Sequence, residues 1–131
     1  MDLNQVTIDV ADLARAAAFY ERLGLKRIVW SPPRYARYEC PSGASTISLH
    51  IADGPVASGV SLYFEVDDVD LEVERLLALG IGFDALPKDQ EWRWREAWTC
   101  DPDGHRVCVF HAGLDRRFPP WRVAADDGAK R

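Results

Sequence analysis

Hydrophobic and polar residues alternate near the start of the chain in a pattern typical of a β-strand. Every second side chain of Gln5–Val10 is apolar, so one face of this strand is expected to be buried. Apolar residues then recur every three or four positions in Leu13–Leu23, between Asp12 at a helix N-cap position and Gly24 just after the end, which predicts a helix. Three further strands are predicted at residues 26–30, 35–40 and 46–51.

The same pattern begins again at an offset of 56 residues, which aligns Asp12 with Asp68 and Gly24 with Gly80. Residues 60–66 alternate like the first strand, and a second helix is predicted between Asp68 and Gly80. Strands are expected to follow at residues 81–84, 95–100 and 106–111. An internal repeat indicates that the fold consists of two copies of one unit. The predicted fold class is therefore α+β, with tandem βαβββ repeats that form a curved mixed sheet with a ligand cleft.

The repeats divide the chain into one domain and a tail. Residues 1–113 are expected to form a single domain, built from the modules 1–52 and 60–113 and the linker 53–59, which contains two glycines and a proline. Each module alone is too small to bury a large core, so the two should share one. Residues 114–131 are predicted to be a C-terminal extension whose small, polar end is disordered. The sequence leaves open whether the modules pair within one subunit or are swapped between two subunits.

Composition and charge exclude several classes of partner. The chain of 131 residues carries a formal net charge of -5 and has no basic stripe, so a nucleic-acid partner is not expected. No apolar stretch is long enough for a transmembrane helix, and the acidic N-terminus does not resemble a signal peptide. Cys40, Cys100 and Cys108 are odd in number and lack metal-binding spacing, which indicates reduced thiols. These features predict a cytoplasmic protein that does not interact with membranes.

A set of short motifs follows the two predicted modules in order. They are Asp12-Leu13, Phe19-Tyr20-Glu21, Leu23-Gly24-Leu25, Val66-Asp67-Asp68-Val69, Gly80 and Asp101-Pro102-Asp103-Gly104. In the order and spacing of these motifs, the sequence resembles the vicinal oxygen chelate superfamily, which includes glyoxalase I, bleomycin-resistance proteins, extradiol dioxygenases and fosfomycin-resistance enzymes. The resemblance extends over residues 3–111 and implies the paired βαβββ fold.

Members of this superfamily that use a metal bind it through cleft-facing residues on the first and last strands of each module. By register, the corresponding positions of this sequence are Gln5, Ser48, Ser61 and Cys108. Only Gln5 matches the usual donor of the family, and one amide with two hydroxyls lacks the charge and affinity that a divalent metal needs. The expectation is therefore that no metal and no cofactor is bound. A displaced site built from Gln5, His50 and Glu65 is the alternative, because these residues share the cleft-facing parity.

By the same parity, the concave face of the sheet should be a ligand-binding surface. The expected ligand-binding residues are Gln5, Thr7, Asp9, Ser48, His50, Ser61, Tyr63, Glu65, Trp94, Glu96, Trp98, Cys108 and Phe110. Tryptophan side chains offer flat surfaces on which planar or cationic molecules stack, and the acidic residues between them add polar anchors. Alternating aromatic residues are also favoured by sheet packing alone, so both interpretations stand.

Three functional hypotheses follow. Because it lacks the metal ligands and has an acidic net charge, the sequence resembles most closely the metal-free bleomycin-resistance branch. The members of this branch are homodimers with ligand clefts at the interface. This resemblance implies a homodimer that binds a small aromatic or cationic molecule without transforming it. The second hypothesis is a glyoxalase- or lyase-type enzyme that uses a non-standard metal, or Glu65 or Glu96 as a catalytic general base with His50 as its partner. In the third, the cleft is vestigial and the chain is an interaction module.

Overall fold

Two βαβββ modules follow one another in the computed structural model, which describes residues 1–124. The first module contains β1 (Gln5–Val10), α1 (Leu13–Leu23), β2 (Lys26–Ser31), β3 (Tyr35–Glu39) and β4 (Thr46–Ile51). The second contains β5 (Ser61–Glu65), α2 (Val69–Ala78), β6 (Lys88–Asp89), β7 (Arg95–Cys100) and β8 (Arg106–His111), and a short 3-10 helix follows at Gly113–Asp115. The end of the tail, for which disorder is predicted, falls at residues 125–131 and lies outside the described residues.

Each module forms one four-stranded mixed sheet. The strand order is β1-β4-β3-β2 in the first sheet and β5-β8-β7-β6 in the second. In both sheets the first strand of the module pairs in parallel with the last, and the other neighbours are antiparallel. This arrangement confirms the predicted α+β class with tandem βαβββ repeats. Within residues 1–124, β1 and β5 are edge strands, each with a bonded neighbour on one side only.

The helix ends preserve the repeat. Oδ1 of Asp12 and Oδ1 of Asp68 each accept a hydrogen bond of 3.0 Å from the backbone N–H three residues later, which caps the start of the helix. After each helix a glycine has a positive φ, 103° at Gly24 and 88° at Gly80. Side chains other than glycine rarely adopt this conformation, so the glycines let the chain leave both helices in the same direction.

One hydrophobic core lies between the helices and the sheets of both modules. Its largest fully buried apolar and aromatic side chains are Tyr20, Tyr38, Ile8, Leu49 and Leu76. Because successive side chains of a strand point to opposite faces, burying one set beneath the helices leaves the other set on the open face of each sheet. The two open faces therefore carry the side chains that are available for binding.

A polar junction also joins the modules, at the turn formed by residues 101–104 before β8. The Tyr20 hydroxyl donates a hydrogen bond of 2.6 Å to Oδ2 of Asp101, and this contact is buried. Oδ1 of Asp103 accepts a hydrogen bond of 3.0 Å from the backbone N–H of Ala11. Since Tyr20 and Ala11 belong to the first module, the turn fixes the second module against it.

The predicted strand at residues 81–84 is wrong. The N–H of Ile81 bonds instead to the carbonyl oxygen of Leu76 at 3.0 Å and so completes the end of α2, while the Ile81 side chain is buried in the core. The segment touches β7 through the Asp84 N–H, which donates to the carbonyl oxygen of Trp98 at 2.9 Å. The short strand β6 takes the edge position, with Lys88 opposite Glu96. Among residues 1–124, no helix is long and apolar enough to cross a membrane.

Candidate functional site

The open face of the C-terminal sheet gathers the predicted ligand-binding residues of the second module. Residues opposite one another across β5, β8 and β7 are Tyr63, Cys108 and Trp98 in one row and Glu65, Phe110 and Glu96 in the next. Ser61 begins β5 on the same face, and Trp94 directly precedes β7. The sequence alternation therefore places these side chains on a single surface, opposite the helices.

Four aromatic rings form a cluster on this surface, which we call the aromatic cup: Tyr63, Trp94, Trp98 and Phe110. Trp94 stacks on Phe110 with ring centroids 4.7 Å apart and an interplanar angle of 22°. The Tyr63 ring contacts the other three edge-on, at centroid distances of 5.3 to 6.0 Å. Phe110 is only 3% exposed, whereas Tyr63 is 51% exposed. The cup therefore has a buried floor and an open rim.

Glu96 lies beside the aromatic cup, opposite Phe110 across β7 and β8, and is only 5% exposed. Its Oε2 accepts a hydrogen bond of 2.6 Å from the indole Nε1 of Trp92, and its Oε1 accepts one of 3.0 Å from Nε1 of Trp98. Both indole donors are neutral, so they orient the carboxylate without neutralising its charge. Within residues 1–124, no Lys, Arg or His forms a salt bridge with Glu96. Glu96 thus has no salt-bridge partner in the described chain; Lys88 lies opposite it across β6 and β7, and Arg106 lies 5.1 Å from the Trp98 ring.

The pKa of the Cys108 thiol reflects the same buried environment. Burial raises the pKa of Cys108 to about 12, and the nearby charge of Glu96 adds to the shift. Burial also raises the pKa of Tyr63, with further contributions from Cys108 and Glu96. Both groups are therefore neutral near pH 7.

Glu65, one of the proposed general bases, is held by the backbone after β8. Its Oε2 accepts hydrogen bonds from the N–H groups of Ala112 at 2.7 Å and Gly113 at 2.9 Å. The carboxylate therefore anchors the short 3-10 helix that follows. His50, its proposed partner, lies in the other sheet, and among residues 1–124 no hydrogen bond joins His50 to Glu65 or Glu96.

The remaining predicted residues lie on the open face of the N-terminal sheet. They are Gln5, Thr7, Asp9, Ser48 and His50. Across β1 and β4, Thr7 is opposite Ser48 and Asp9 is opposite His50. Ser48 is fully buried, whereas the other four are exposed. The predicted set is therefore divided between two sheets.

A groove of about 1080 Å³ runs between the modules, along the edges of β1 and β5. The predicted residues in its lining are Gln5, Ser61, Tyr63, Glu65 and Phe110. Those of the N-terminal sheet that lie outside it are Thr7, Asp9, Ser48 and His50. The groove shares Tyr63 and Phe110 with the aromatic cup, whereas Trp94, Trp98 and Glu96 are not part of its lining. Its volume is sufficient for a drug-sized molecule.

The four positions that the family resemblance assigns to a metal do not form a suitable set of donors. The Ser48 hydroxyl is buried and lies 2.6 Å from the Tyr35 hydroxyl. Cys108 is fully buried on β8 and is the only thiol or imidazole donor among the four positions. For the displaced alternative, Gln5 and Glu65 line the groove between the modules but His50 does not, and within residues 1–124 no group of three His, Cys, Asp or Glu side chains could hold a metal ion. A divalent metal therefore does not fit these residues as they stand.

Trp92 is a site residue that the sequence reasoning missed. It precedes β7, so strand parity does not predict its direction. The chain turns at residues 90–93, where Arg93 has a φ of 72°, and this turn brings the Trp92 indole back to Glu96. The sequence carries no clear signal for such a turn, because Arg93 is not a residue that favours a positive φ.

Tyr35 and Arg37 are also missing from the predicted set, although strand parity could have identified them. They alternate along β3 with the buried Ala36 and Tyr38 and so project from the open face. Nε of Arg37 donates a hydrogen bond of 3.0 Å to the Tyr35 hydroxyl, which in turn contacts Ser48. Burial acts to raise the pKa of Tyr35, but the hydrogen bonds with Ser48 and Arg37 and the charge of Arg37 outweigh it, so the pKa is lowered.

Comparison with known protein families gives one match. The model of the Glyoxalase/Bleomycin resistance protein/Dioxygenase superfamily matches residues 2–109. No curated protein matches the sequence.

Solved structures with a similar fold include enzymes and binding proteins. A lactoylglutathione lyase from Agrobacterium tumefaciens is 24% identical, with a TM-score of 0.72, and the match covers 86% of this chain and 95% of that one. A bleomycin-binding protein complexed with bleomycin is 24% identical, with a TM-score of 0.67 and coverage of 85% and 98%. A bleomycin resistance determinant encoded on the transposon Tn5 is 25% identical, with a TM-score of 0.70 and coverage of 87% and 100%.

Proposed function

Because the chain belongs to the glyoxalase/bleomycin resistance protein/dioxygenase superfamily, we propose that it binds a small aromatic cation on the open face of its C-terminal sheet. The observation that carries this proposal is the buried carboxylate of Glu96, which is held by two indole N–H groups and forms no salt bridge within residues 1–124. A buried charge without a counter-ion is costly. A ligand with a positive charge would supply that counter-ion.

The aromatic cup would provide the second kind of contact with the cationic ligand, in addition to Glu96. Trp98 of the cup donates to Glu96, and Phe110 lies opposite Glu96 across the sheet. The faces of tryptophan and tyrosine attract cations through the negative charge of their π systems. A planar ligand would stack on the half-exposed rim at Tyr63 while the floor at Phe110 stays closed. Arg106 lies 5.1 Å from the Trp98 ring, but its guanidinium is already paired with Asp84 at 2.7 Å.

The similar structures support the class of ligand in coarse terms. One of them is a bleomycin-binding protein complexed with bleomycin, and another is a bleomycin resistance determinant. At about a quarter identity these relatives share the fold, and their ligand is a property of those proteins. For this chain they support binding of a small molecule, while the charge and shape of the ligand rest on Glu96 and the cup.

Binding is proposed to be independent of metal. The donor set at Gln5, Ser48, Ser61 and Cys108 does not suit a divalent ion, so the affinity should rest on aromatic and electrostatic contacts alone. Removal of metal with EDTA and addition of Zn²⁺ should both leave the affinity unchanged.

We also propose that a second copy of the chain completes the cleft. Both open faces, and the outer sides of the edge strands β1 and β5, lack a partner within residues 1–124. Tyr63, which is 51% exposed, stands at the mouth of the groove, where another subunit would cover it. Sedimentation analysis should give twice the monomer mass of 14.8 kDa, and a monomer at every concentration would contradict this part of the proposal.

The alternative, an enzyme that uses Glu65 or Glu96 as a general base, has less support. Glu65 is already committed to the N–H groups of Ala112 and Gly113, and His50 lies in the other sheet. A general base needs an oxygen within reach of a substrate proton. Both oxygens of Glu96 already accept an indole N–H, and Oε1 of Glu65, which accepts no hydrogen bond within residues 1–124, lies 3.8 Å from Nε of Arg116.

Calorimetric titration with N-methylquinolinium and with neutral quinoline tests the proposal directly. The two probes share one ring system and differ in permanent charge. The cation is expected to bind about tenfold or more tightly than quinoline, and mass spectrometry should recover it unchanged. Equal affinities would contradict the role of charge, conversion of a probe would favour an enzyme, and no binding of either would favour a vestigial cleft.

A further inference from the structure

A second polar cluster lies on the open face of the N-terminal sheet, away from the aromatic cup. Arg37 stands in the middle of β3, and the row across the sheet places it beside Ser48 of β4, with Thr7 of β1 beyond. The Arg37 side chain is half-buried, although its charge would favour full exposure. Its position on the inner strand therefore requires an explanation other than solvation.

The guanidinium of Arg37 is fixed by its neighbours. Its Nε donates a hydrogen bond of 3.0 Å to the Tyr35 hydroxyl, and that hydroxyl lies 2.6 Å from Oγ of Ser48. Ser48 is fully buried, so the chain of three polar groups is anchored in the sheet. Nε is used in this contact, and the guanidinium carbon lies 5.6 Å from the centroid of the Tyr35 ring. The two terminal nitrogens remain as a fork of donors without a hydrogen-bond partner in the described part of the chain.

Arg37 differs from the other half-buried arginines of the protein in its charge partners. Arg95 pairs with Asp70 at 2.8 Å, and Arg106 pairs with Asp84 at 2.7 Å. Within residues 1–124, by contrast, no carboxylate forms a salt bridge with Arg37. Glu39 follows it on the same face of β3 and forms none. A fixed and unneutralised guanidinium fork is the geometry that binds an oxyanion with two parallel hydrogen bonds.

We propose that Arg37, held by Tyr35 and Ser48, is an oxyanion-binding subsite that receives a carboxylate or phosphate group of a small molecule. The anion would take the two terminal nitrogens of Arg37, and the Tyr35 hydroxyl would hold the fork in place. This subsite is separate from the proposed cation site, since it lies on the other sheet and shares no residue with the aromatic cup. The lowered pKa of Tyr35 is consistent with a positive potential at this point of the surface.

Two probes with the same ring test the proposal and separate the two sources of oxyanion: benzoate and phenyl phosphate. Titrations up to about 10 mM are followed through the side-chain Nε–H signal of Arg37 in NMR spectra. At least one probe should shift this signal, and the tighter one identifies the preferred anion. If neither probe shifts it, the proposal is overturned.

Arg37→Gln is the test variant, and Arg22→Gln is its matched control. Arg22 is an exposed arginine outside the cluster, so both variants change the net charge equally. Arg37→Gln should weaken binding of the preferred probe about 10- to 100-fold, whereas Arg22→Gln should leave it within about twofold. Equal losses in the two variants would show that only overall charge attracts the anion and would overturn the subsite.

Arg37→Lys and Tyr35→Phe keep the test decisive if Arg37→Gln does not fold. Lysine keeps the charge but loses the fork and the contact with Tyr35, so the affinity should fall by about tenfold. Tyr35→Phe should also weaken binding, because the fork loses its support. Unchanged affinity in both would contradict the proposal. Glu96→Gln should leave anion binding intact, which separates a failure here from a failure of the proposed cation site.

Discussion

The indole Nε1 of Trp92 donates a hydrogen bond of 2.6 Å to Oε2 of Glu96, from a turn outside the sheet to a carboxylate buried within it. Together with Trp98 on the other oxygen, this bond gives each carboxylate oxygen one neutral hydrogen-bond donor but no positive charge. The relationship links the loop before β7 to the electrostatics of the aromatic cup. Any change at Trp92 should therefore affect both stability and binding.

Trp92→Phe removes the donor while it keeps an aromatic ring. One oxygen of a buried carboxylate then lacks its partner, which should lower the free energy of unfolding by about 1–3 kcal/mol. Denaturant unfolding measures this loss. Trp121→Phe is the control, because Trp121 is also about half exposed but does not contact Glu96, and an equal effect of both changes would contradict the account.

Tyr20→Phe tests the polar junction between the modules. The change leaves Oδ2 of Asp101 without its buried hydrogen bond of 2.6 Å and should cost about 1–3 kcal/mol of stability. Burial, with the charges of Asp101 and Asp103, raises the pKa of Tyr20 well above its usual range. The phenol is thus neutral in the folded protein at a pH where the unfolded chain ionises it.

The higher pKa of Tyr20 in the folded protein determines how stability changes with pH. Stability from Tyr20 is complete below the ordinary pKa of tyrosine, about 10, and is lost as the pH rises above it. Unfolding measured between about pH 9 and about pH 11, one unit either side of the ordinary tyrosine pKa of about 10, should show a steeper alkaline loss of stability for the natural protein than for Tyr20→Phe. Parallel curves would show that Tyr20 does not contribute to the pH dependence.

Cysteine labelling tests the buried floor of the site. The pKa of Cys108 is raised to about 12, chiefly by burial, while Cys100 is exposed. Thiolates are the reactive form, so a maleimide at about pH 8 should modify Cys100 quickly and Cys108 only after unfolding. In the Cys100→Ser variant, mass spectrometry follows the modification of the remaining cysteines alone. Rapid modification of Cys108 in the folded protein would be inconsistent with a closed floor.

Glu65→Gln tests whether Glu65 has a structural role. An amide oxygen accepts more weakly than a carboxylate, so the N–H groups of Ala112 and Gly113 should exchange with deuterium several-fold faster. Binding of an aromatic cation should change much less than in a Glu96 variant. Glu74→Gln, on the exposed face of α2, is the control, and unchanged exchange at Ala112 and Gly113 would contradict the anchoring role.

The repeat made most of the fold predictable. Asp12 and Asp68 cap their helices through local backbone geometry, and Gly24 and Gly80 end them with the same positive φ. Such features depend on a few neighbouring residues, so a sequence reveals them directly. The strand predicted at residues 81–84 failed because Ile81 is apolar for a different reason, namely that it packs at the end of α2.

The site was predictable only where strand parity applies. Parity placed Tyr63, Trp98 and Phe110 on one face, and their ring contacts follow from that placement. It gave no information on Trp92, whose direction depends on a turn with Arg93 at a φ of 72°. Parity also does not tell which side-chain oxygens are already bonded.

The measurement that bears most directly on the central claim is the affinity of Glu96→Gln for N-methylquinolinium, compared with that of Glu91→Gln. Glu91 lies in the same loop region, is exposed, and loses the same charge on substitution. Glu96→Gln should weaken binding by about tenfold or more, and Glu91→Gln by less than about twofold. Equal affinities in the two variants would contradict a cation site centred on Glu96.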